Sequence, residues 1–196
     1  MVKISAIITA SGKAERFGSD KLMHKVNSRP IIYYVMESVM KAKFSERLIV
    51  LRNNELKEYA ENQGFKAIWN NNYEKGMSES IILGIKNVSL NSDAAMIIPG
   101  DIPMMKSEYL DTLIKLYREN GREIAGFLLN GVAASPVIFS RKYFNELLQL
   151  QGDRGGKPVI MTHMDDFIGI EAQDNSLLDI DTISDAERLE KIIDKS

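Results

Sequence analysis

Residues 4–21 read ISAIITASGKAERFGSDK, and this stretch decides the fold class that we predict. Its first part, Ile4 to Thr9, is short and apolar, which is typical of a buried strand. A loop of small, polar and basic residues follows directly. The next helical pattern opens at Arg29-Pro30, where proline fits the first turn of a helix. A strand, a loop and a helix in that order form one unit of an α/β sheet. In such sheets, ligands bind beyond the carboxyl ends of the strands, where this loop would lie.

Strand and helix patterns alternate along the rest of the chain, which predicts a largely parallel sheet with helices on both faces. The late strands lack intervening helices, so we expect a mixed sheet at one side. The predicted fold is α/β and three-layered, Rossmann-like, with one domain over residues 1–196, because a domain averages roughly 150 residues. Ser184 and Glu187 have the spacing of a capping box that begins the last helix. The later strands are predicted at 48–51, 66–69, 94–99, 124–129, 136–139, 167–172 and 178–180.

Composition excludes several classes of function. Lys and Arg total 25 against 27 Asp and Glu, a net charge of -2, and nucleic-acid binding needs a basic surface. The absence of cysteine excludes a thiolate nucleophile and a cysteine-ligated zinc, and two histidines are too few for a histidine-rich metal site. No apolar run approaches the roughly 20 residues that cross a bilayer. With no signal-peptide pattern at the N-terminus, we expect a cytoplasmic protein that binds neither nucleic acid nor membrane.

The loop after the first strand has the chemistry of a phosphate-binding loop. Ala10, Ser11 and Gly12 are small enough for a ligand to approach the backbone, whose N–H groups can hold an anion. Arg16 and Lys21 add positive charge, and arginine can bind phosphate oxygens with two hydrogen bonds. The spacing matches neither a Walker A loop nor the dinucleotide fingerprint. The alternative is an ordinary strand-to-helix turn with solvated basic side chains.

Two further positions carry candidate chemistry. Asp101 follows the apolar strand 94–99, where a carboxylate can bind Mg²⁺ together with substrate phosphates; alternatively, it only caps the following turn. Ser80 lies at the start of a predicted helix, where backbone N–H groups are unpaired, or it is an ordinary helical serine.

The loop residues resemble the signature of the nucleotidyltransferases that act on molybdopterin, the MobA-like family. The matching residues in the loop are Thr9, Ala10, Gly12, Arg16, Phe17, Gly18 and Lys21. The chain departs from the pattern at Ser11, Ala14, Glu79 and Ser135, the last in place of a histidine. The other matching segments are Gly76-Met77-Ser78-Glu79-Ser80 with Gly84, Pro99-Gly100-Asp101-Ile102-Pro103, Pro136-Val137-Ile138-Phe139, Gly152-Asp153-Arg154-Gly155-Gly156 and Asp179-Ile180-Asp181-Thr182.

The resemblance implies a fold of the nucleotide-diphospho-sugar transferase type and a reaction, transfer of CMP from CTP to a phosphorylated acceptor such as molybdopterin, with Mg²⁺ as cofactor. It implies that Arg16 and Lys21 stabilise the triphosphate and that Asp101 binds the metal with Asp181, for which Asp179 is the alternative. The nucleotide would contact Thr9, Ala10, Ser11, Gly12, Arg16, Lys21, Ser80 and Gly100, and the acceptor would contact Gly152 and Asp153.

Other interpretations remain open on these residues. Guanylyl transfer and transfer to a sugar phosphate use the same chemistry, and a cofactor-binding protein without turnover belongs to a different class. The resemblance also implies a molybdoenzyme as the partner that receives the product.

Overall fold

A computed structural model describes residues 2–12, 17, 20–173 and 175–193 of the chain. Seven strands form one sheet in the order β5-β4-β1-β6-β8-β7-β9, and β2 and β3 form a separate two-stranded ribbon. The strands are Ile4–Ala10 (β1), Lys25–Val26 (β2), Arg29–Pro30 (β3), Glu46–Leu51 (β4), Lys66–Trp69 (β5), Ala94–Pro99 (β6), Ile124–Leu129 (β7), Val132–Ser140 (β8) and Phe167–Glu171 (β9). The α-helices are Ile31–Lys41 (α1), Asn54–Asn62 (α2), Met77–Asn87 (α3), Ser107–Asn120 (α4), Phe144–Leu147 (α5), Lys157–Thr162 (α6) and Ile183–Ile193 (α7).

The sheet is mostly parallel and mixed on one side, as the strand pattern predicts. β8 runs antiparallel to both of its neighbours, β6 and β7, whereas the other neighbouring pairs are parallel. A tight turn at Asn130-Gly131, where both residues have positive φ, joins β7 to β8 and explains this reversal. The predicted α/β architecture is therefore confirmed.

Helices cover both faces of the sheet and produce three layers. In β1, Ile4, Ala6 and Ile8 pack with α1, α2 and α4 on one face, while Ile7 packs with α3, α5 and α6 on the other. The two-residue period of a strand explains this division, because successive side chains point to opposite faces. Gly84 of α3 lies so close to Ile7 that a Cβ atom there would be 2.4 Å from its Cγ2.

The structure corrects three local predictions and adds one helix that the sequence analysis did not predict. Arg29–Pro30 pairs with Lys25–Val26 as a short ribbon, so α1 begins one residue after the proline. Residues 178–180 form no strand; Ile180 N–H donates to the Asp101 carbonyl at 3.0 Å instead. The helix α6, with Pro158 in its first turn, was not predicted.

The third correction concerns the start of α7. The capping pair is Thr182 with Asp185 rather than Ser184 with Glu187. Asp185 N–H donates to Thr182 Oγ1 at 3.2 Å, and Thr182 N–H donates to Asp185 Oδ2 at 2.8 Å. The same spacing of hydroxyl and carboxylate occurs at both pairs, so the sequence pattern alone does not choose between them.

The parallel strands bring their carboxyl ends to one edge of the sheet, and the site is built there. Among the described residues, no helix combines the length and apolar character that crossing a membrane requires.

Candidate active site

A cavity of about 490 Å³ opens where β1 and β6 end. This is the edge at which the fold class binds ligands. A second depression, of about 590 Å³, lies along residues 149–158, and within the described chain no carboxylate lines it. The predicted site residues that line the first cavity are Thr9, Gly12, Lys21, Ser80, Asp101, Asp153 and Asp181.

Lys21 lies between the two carboxylates that the sequence analysis assigns to metal. Its Nζ donates to Asp101 Oδ2 at 2.8 Å and to Asp181 Oδ1 at 3.0 Å. The lysine side chain is only 14% exposed, whereas the two aspartate side chains are 27% and 38% exposed. The three predicted residues are thus brought together from positions 80 and 160 residues apart along the chain.

The backbone explains how Asp181 reaches this position. The Ile180 N–H donates to the carbonyl of Asp101, which ties the segment before α7 to the end of β6. The Ile180 side chain is fully buried in a small apolar cluster with Ala186 and Leu189 of α7. Packing of α7 therefore fixes the residue next to Ile180, and that residue is Asp181.

Negative charge exceeds positive charge around the Lys21 ammonium group. Burial by itself lowers the pKa of Lys21, but contacts with Asp101 and Asp181 outweigh it, and the pKa of Lys21 is raised above its usual value. For the Asp179 carboxyl group, burial has the opposite effect and raises the pKa, and repulsion from Asp181 and Asp101 raises the pKa of Asp179 further. Three carboxylates near one ammonium group leave a net negative charge at this position, which favours cation binding there.

The donor set fits a magnesium ion held jointly with substrate. In the described part of the chain, no group of three acidic or histidine side chains is arranged around one metal position. Mg²⁺ nevertheless needs only one or two protein carboxylates when phosphate oxygens and waters supply its remaining ligands. Asp101 and Asp181 meet this requirement because both contact the same nitrogen atom.

A buried polar network lies beside the cavity. Ser11 Oγ is 2.6 Å from Ser80 Oγ, and Asn70 Nδ2 donates to Ser11 Oγ at 2.8 Å. These three side chains come from the ends of β1 and β5 and from the first turn of α3. Each is at most 3% exposed. The structure therefore places Ser80 at the cavity and Ser11 behind it.

The loop predicted for the acceptor is fastened to the start of α3. Asp153 Oδ1 accepts a hydrogen bond from Met77 N–H at 2.9 Å, and the Gly152 carbonyl accepts one from Ser78 N–H at 3.0 Å. A Cβ atom at Gly76 would lie 2.5 Å from Asp153 Oδ1, so only glycine permits this approach. Asp153 lines the cavity, and its carboxylate satisfies an unpaired helical N–H group.

The remaining predicted residues have different positions. Ala10 and Gly100 are buried at the ends of β1 and β6, and among the described residues they are not part of the cavity lining. A Cβ atom at Gly100 would lie 3.1 Å from the Thr9 carbonyl oxygen of β1 and 2.9 Å from Ile32 Cδ1 of α1, so glycine allows the end of β6 to approach both elements. Arg16 lies outside the described residues, and its predicted role stays a prediction.

The sequence profile of the MobA-like NTP transferase domain matches residues 6–167. The chain belongs to this family. The match covers both strand ends at the cavity and the loop after β1, so the resemblance noted in the sequence is confirmed.

Relatives of this MobA-like chain have more than one named activity. A probable molybdenum cofactor guanylyltransferase from Thermococcus gammatolerans is 27% identical over 118 residues, which is 59% of this chain and 57% of that protein. A 2-C-methyl-D-erythritol 4-phosphate cytidylyltransferase from Dictyoglomus thermophilum is 28% identical over 128 residues, covering 61% of this chain and 54% of that protein. This chain therefore matches little more than half the length of either relative.

A solved structure supports the fold over nearly the whole chain. A nucleotidyl transferase from Methanothermobacter thermautotroptrophicus superposes with a TM-score of 0.84 at 20% identity and covers 98% of both chains. The solved neighbours are nucleotidyltransferases of the nucleotide-diphospho-sugar transferase type, and this chain shares their fold.

Sequence reasoning missed several residues of the MobA-like cavity. Tyr73, Glu74 and Met77 line it from the segment between β5 and α3. The Arg52 guanidinium lies 4.4 Å from the centre of the Tyr73 ring and donates to the Gly12 carbonyl at 3.5 Å. Arg52 directly follows β4, so the rule that ligands bind beyond the strand ends could have found it.

Proposed function

We propose that this MobA-like protein transfers CMP from CTP to a phosphorylated small-molecule acceptor and releases pyrophosphate. Molybdopterin is the acceptor that we propose. The observation that carries this proposal is the Lys21 ammonium group between the Asp101 and Asp181 carboxylates, at the edge of a cavity also lined by Thr9 and Gly12.

The division of labour follows from the charges. An acceptor phosphate is already an anion near neutral pH, so it needs no protein base, and the obstacle is the approach of two anions. Asp101 and Asp181 would hold Mg²⁺, which supplies positive charge to phosphate oxygens when bound. Lys21 would donate to the triphosphate and to the departing pyrophosphate, and Arg16 is proposed to do the same.

Cytidylyl transfer is supported by the loop after β1 and by a relative. Residues 9–12 contain one glycine, a pattern that resembles the cytidylyltransferase branch of the family. One relative is named a cytidylyltransferase and is 28% identical over the matched region. On the acceptor side, Asp153 lines the same cavity as Lys21, which is consistent with donor and acceptor meeting there.

Guanylyl transfer is the second candidate. It is favoured by relatives named probable molybdenum cofactor guanylyltransferase, from Thermococcus gammatolerans and Thermococcus sibiricus. A molybdoenzyme that receives the product remains a prediction for either nucleotide.

Nucleotide-dependent stabilisation is the first test. The melting temperature is measured with each of the four nucleoside triphosphates, with and without Mg²⁺. A ligand at 100 times its Kd stabilises the folded state by about 2.7 kcal/mol, which is readily detected. A Mg²⁺-dependent increase with CTP alone supports cytidylyl transfer, whereas an increase with GTP alone transfers the proposal to the guanylyl branch.

Pyrophosphate release separates an enzyme from a protein that only binds nucleotide. With CTP, molybdopterin and Mg²⁺, the Asp101→Asn variant is expected to release pyrophosphate about 100-fold more slowly, because it loses a charged group at the site. Asp165→Asn is the matched control, since this exposed carboxylate is outside the cavity lining. Full activity of Asp101→Asn would contradict the metal assignment, and binding without pyrophosphate release would favour a non-catalytic role.

A further inference from the structure

Three buried polar side chains connect β5 to the cavity through β1. Asn70 and Ser11 are each 1% exposed and Ser80 is 3% exposed. Polar groups are stable at such positions only when they are hydrogen-bonded. Each hydrogen bond of this network therefore has a definite donor and a definite acceptor. The backbone N–H group and the side-chain NH₂ group can only donate, and they set the direction of the other bonds.

The backbone fixes the orientation of the Asn70 amide. Asn70 Oδ1 is 2.9 Å from the backbone nitrogen of Asn72. A backbone N–H group can only donate, so the side-chain atom facing it must be the oxygen. The other end of the amide is then NH₂, which has only hydrogens to offer. Ser11 Oγ, 2.8 Å from Asn70 Nδ2, must accept.

The orientation continues through Ser11 to Ser80. The two hydroxyl oxygens are 2.6 Å apart, a distance that requires one hydrogen between them. Asn70 and Ser80 are the side-chain partners of Ser11 in the described chain. The Ser11 oxygen could accept from both neighbours, but its own buried hydrogen also needs an acceptor. Among the described residues Ser80 Oγ is the acceptor within hydrogen-bond distance, so Ser11 donates to Ser80. Consecutive hydrogen bonds in one direction also strengthen one another.

Ser80 ends this series at the cavity. Its oxygen accepts from Ser11, and the described residues provide no other side-chain partner for it. Its hydrogen is therefore available to a ligand. We infer that Asn70 is a positioning residue that acts through Ser11 to present the Ser80 hydroxyl as a hydrogen-bond donor to an acceptor atom of the nucleobase, such as a ring carbonyl oxygen.

This inference rests on the proposed function, in which Ser80 contacts the nucleotide. The inference goes further in two ways. It names the kind of nucleobase atom that the Ser80 hydroxyl binds, a hydrogen-bond acceptor, and it gives a role to Asn70, which does not line the cavity. The relay depends on Ser11, where this chain departs from the alanine of the family pattern.

Asn70→Asp is expected to reverse the relay. An ionised carboxylate keeps the acceptor for Asn72 N–H but can no longer donate to Ser11. Ser11 then donates to residue 70 and accepts from Ser80, so Ser80 presents a lone pair to the cavity. Opposite a carbonyl oxygen this arrangement is unfavourable, and the affinity for the cognate nucleotide should fall about tenfold. Calorimetric titration with CTP and with GTP measures it.

Inorganic tripolyphosphate serves as the control ligand, because it has the phosphates of a nucleotide but no nucleobase. Its affinity should be the same for Asn70→Asp and the unmodified chain, because the relay acts only on the base. Asn71→Asp adds the same charge at the adjacent exposed residue and should leave both affinities unchanged. Equal losses for nucleotide and tripolyphosphate, or no loss for either, would overturn the inference. An unmodified chain that binds no nucleotide would instead overturn the proposed function.

Ser11→Ala provides a second variant if Asn70→Asp does not fold. It interrupts the relay and frees the Ser80 hydroxyl to rotate, so nucleotide affinity should fall by a few-fold while tripolyphosphate affinity is retained. Where both variants fold, adding Asn70→Asp to Ser11→Ala should change nucleotide affinity by less than about twofold, since coupled residues are not additive. An independent tenfold loss in the double variant would show that Asn70 does not act through Ser11.

Discussion

Lys21 makes two charged contacts in a partly buried position, and its charge has a structural role beyond ligand binding. Asp101 and Asp181 would repel each other without it, and Asp179 adds to the negative charge. The ammonium group occupies the region between the carboxylates where a divalent ion could bind. Lysine and metal are thus alternative ways of neutralising the same pair of carboxylates.

Lys21→Met tests this relation. Without divalent ions, the variant should lose about 2 kcal/mol of folding stability, less than for a fully buried pair, because the carboxylates remain partly exposed. Mg²⁺ should raise its melting temperature more than that of the unmodified chain, since the ion replaces the missing charge. Pyrophosphate release should fall about 100-fold if Lys21 also contacts the triphosphate.

Lys25→Met is the control for the loss of one positive charge, because this lysine is exposed and does not line the cavity. A Mg²⁺ response of Lys21→Met no larger than that of the unmodified chain would contradict competition for the carboxylates.

At the scale of elements, the start of α7 sets the position of Asp181. Asp185 Oδ2 accepts from the N–H groups of Asp181 at 3.2 Å and Thr182 at 2.8 Å, and from the Thr182 hydroxyl at 2.7 Å. A single carboxylate in the first helical turn therefore orders the backbone of a proposed metal ligand. This is a capping interaction with a consequence for the site.

Asp185→Ala should reduce the free energy of unfolding by about 1 kcal/mol at neutral pH, the usual effect of losing a helix cap. Asp185→Asn should lose less because it keeps one oxygen acceptor. Hydrogen bonds from Thr182 hold the pKa of Asp185 below its usual value. The contribution of the carboxylate is therefore fully present above its ordinary pKa and is lost as the pH falls through the lower folded-state pKa.

Denaturant unfolding of the unmodified chain, Asp185→Ala and Asp185→Asn between pH 7 and pH 3 measures the size of the stability loss and the direction in which it changes with pH. The difference between Asp185→Ala and the unmodified chain should shrink towards low pH. A difference that grows on acidification would mean that the carboxylate does not stabilise the helix through its charged form.

At the scale of the molecule, the sheet has a large apolar cluster on each face, and a third cluster joins α7 to the β2–β3 ribbon. The third cluster contains Ile180 and Val26, so it connects both segments that flank the Lys21 site. Distortion of this small cluster should therefore affect the site before it affects the main sheet.

We predict that residues 1–196 unfold as one domain. Circular dichroism and the fluorescence of Trp69 at the end of β5 should give coincident denaturant transitions, because a single cooperative unit loses all its structure together. Separate midpoints for the two signals would indicate a second unfolding unit and contradict the prediction of one domain.

Much of the fold was predictable because its determinants are local. The apolar run of β1, the Asn53 cap of α2 and the helical spacing of α1 are each written within a few residues. The pattern around Asp101 also indicated a carboxylate at a strand end, and the structure places Asp101 just beyond β6 in the cavity lining. Metal binding by Asp101 stays a prediction. The strand at 178–180 was wrong because a short apolar run is equally consistent with an extended segment that packs against a helix.

The sequence by itself determined the alternation of strands and helices, the mixed sheet, and the residue types available at the strand ends, since periodicity and turn chemistry act over short distances. Only the tertiary structure decided that Lys21 lies between Asp101 and Asp181, and that Asn70 reaches Ser80 through Ser11. Charged and small polar residues carry no signal of which distant partner they meet. The burial of Ile180 and the packing of α3 on β1 supply that information, because they fix the backbone on which these side chains are mounted.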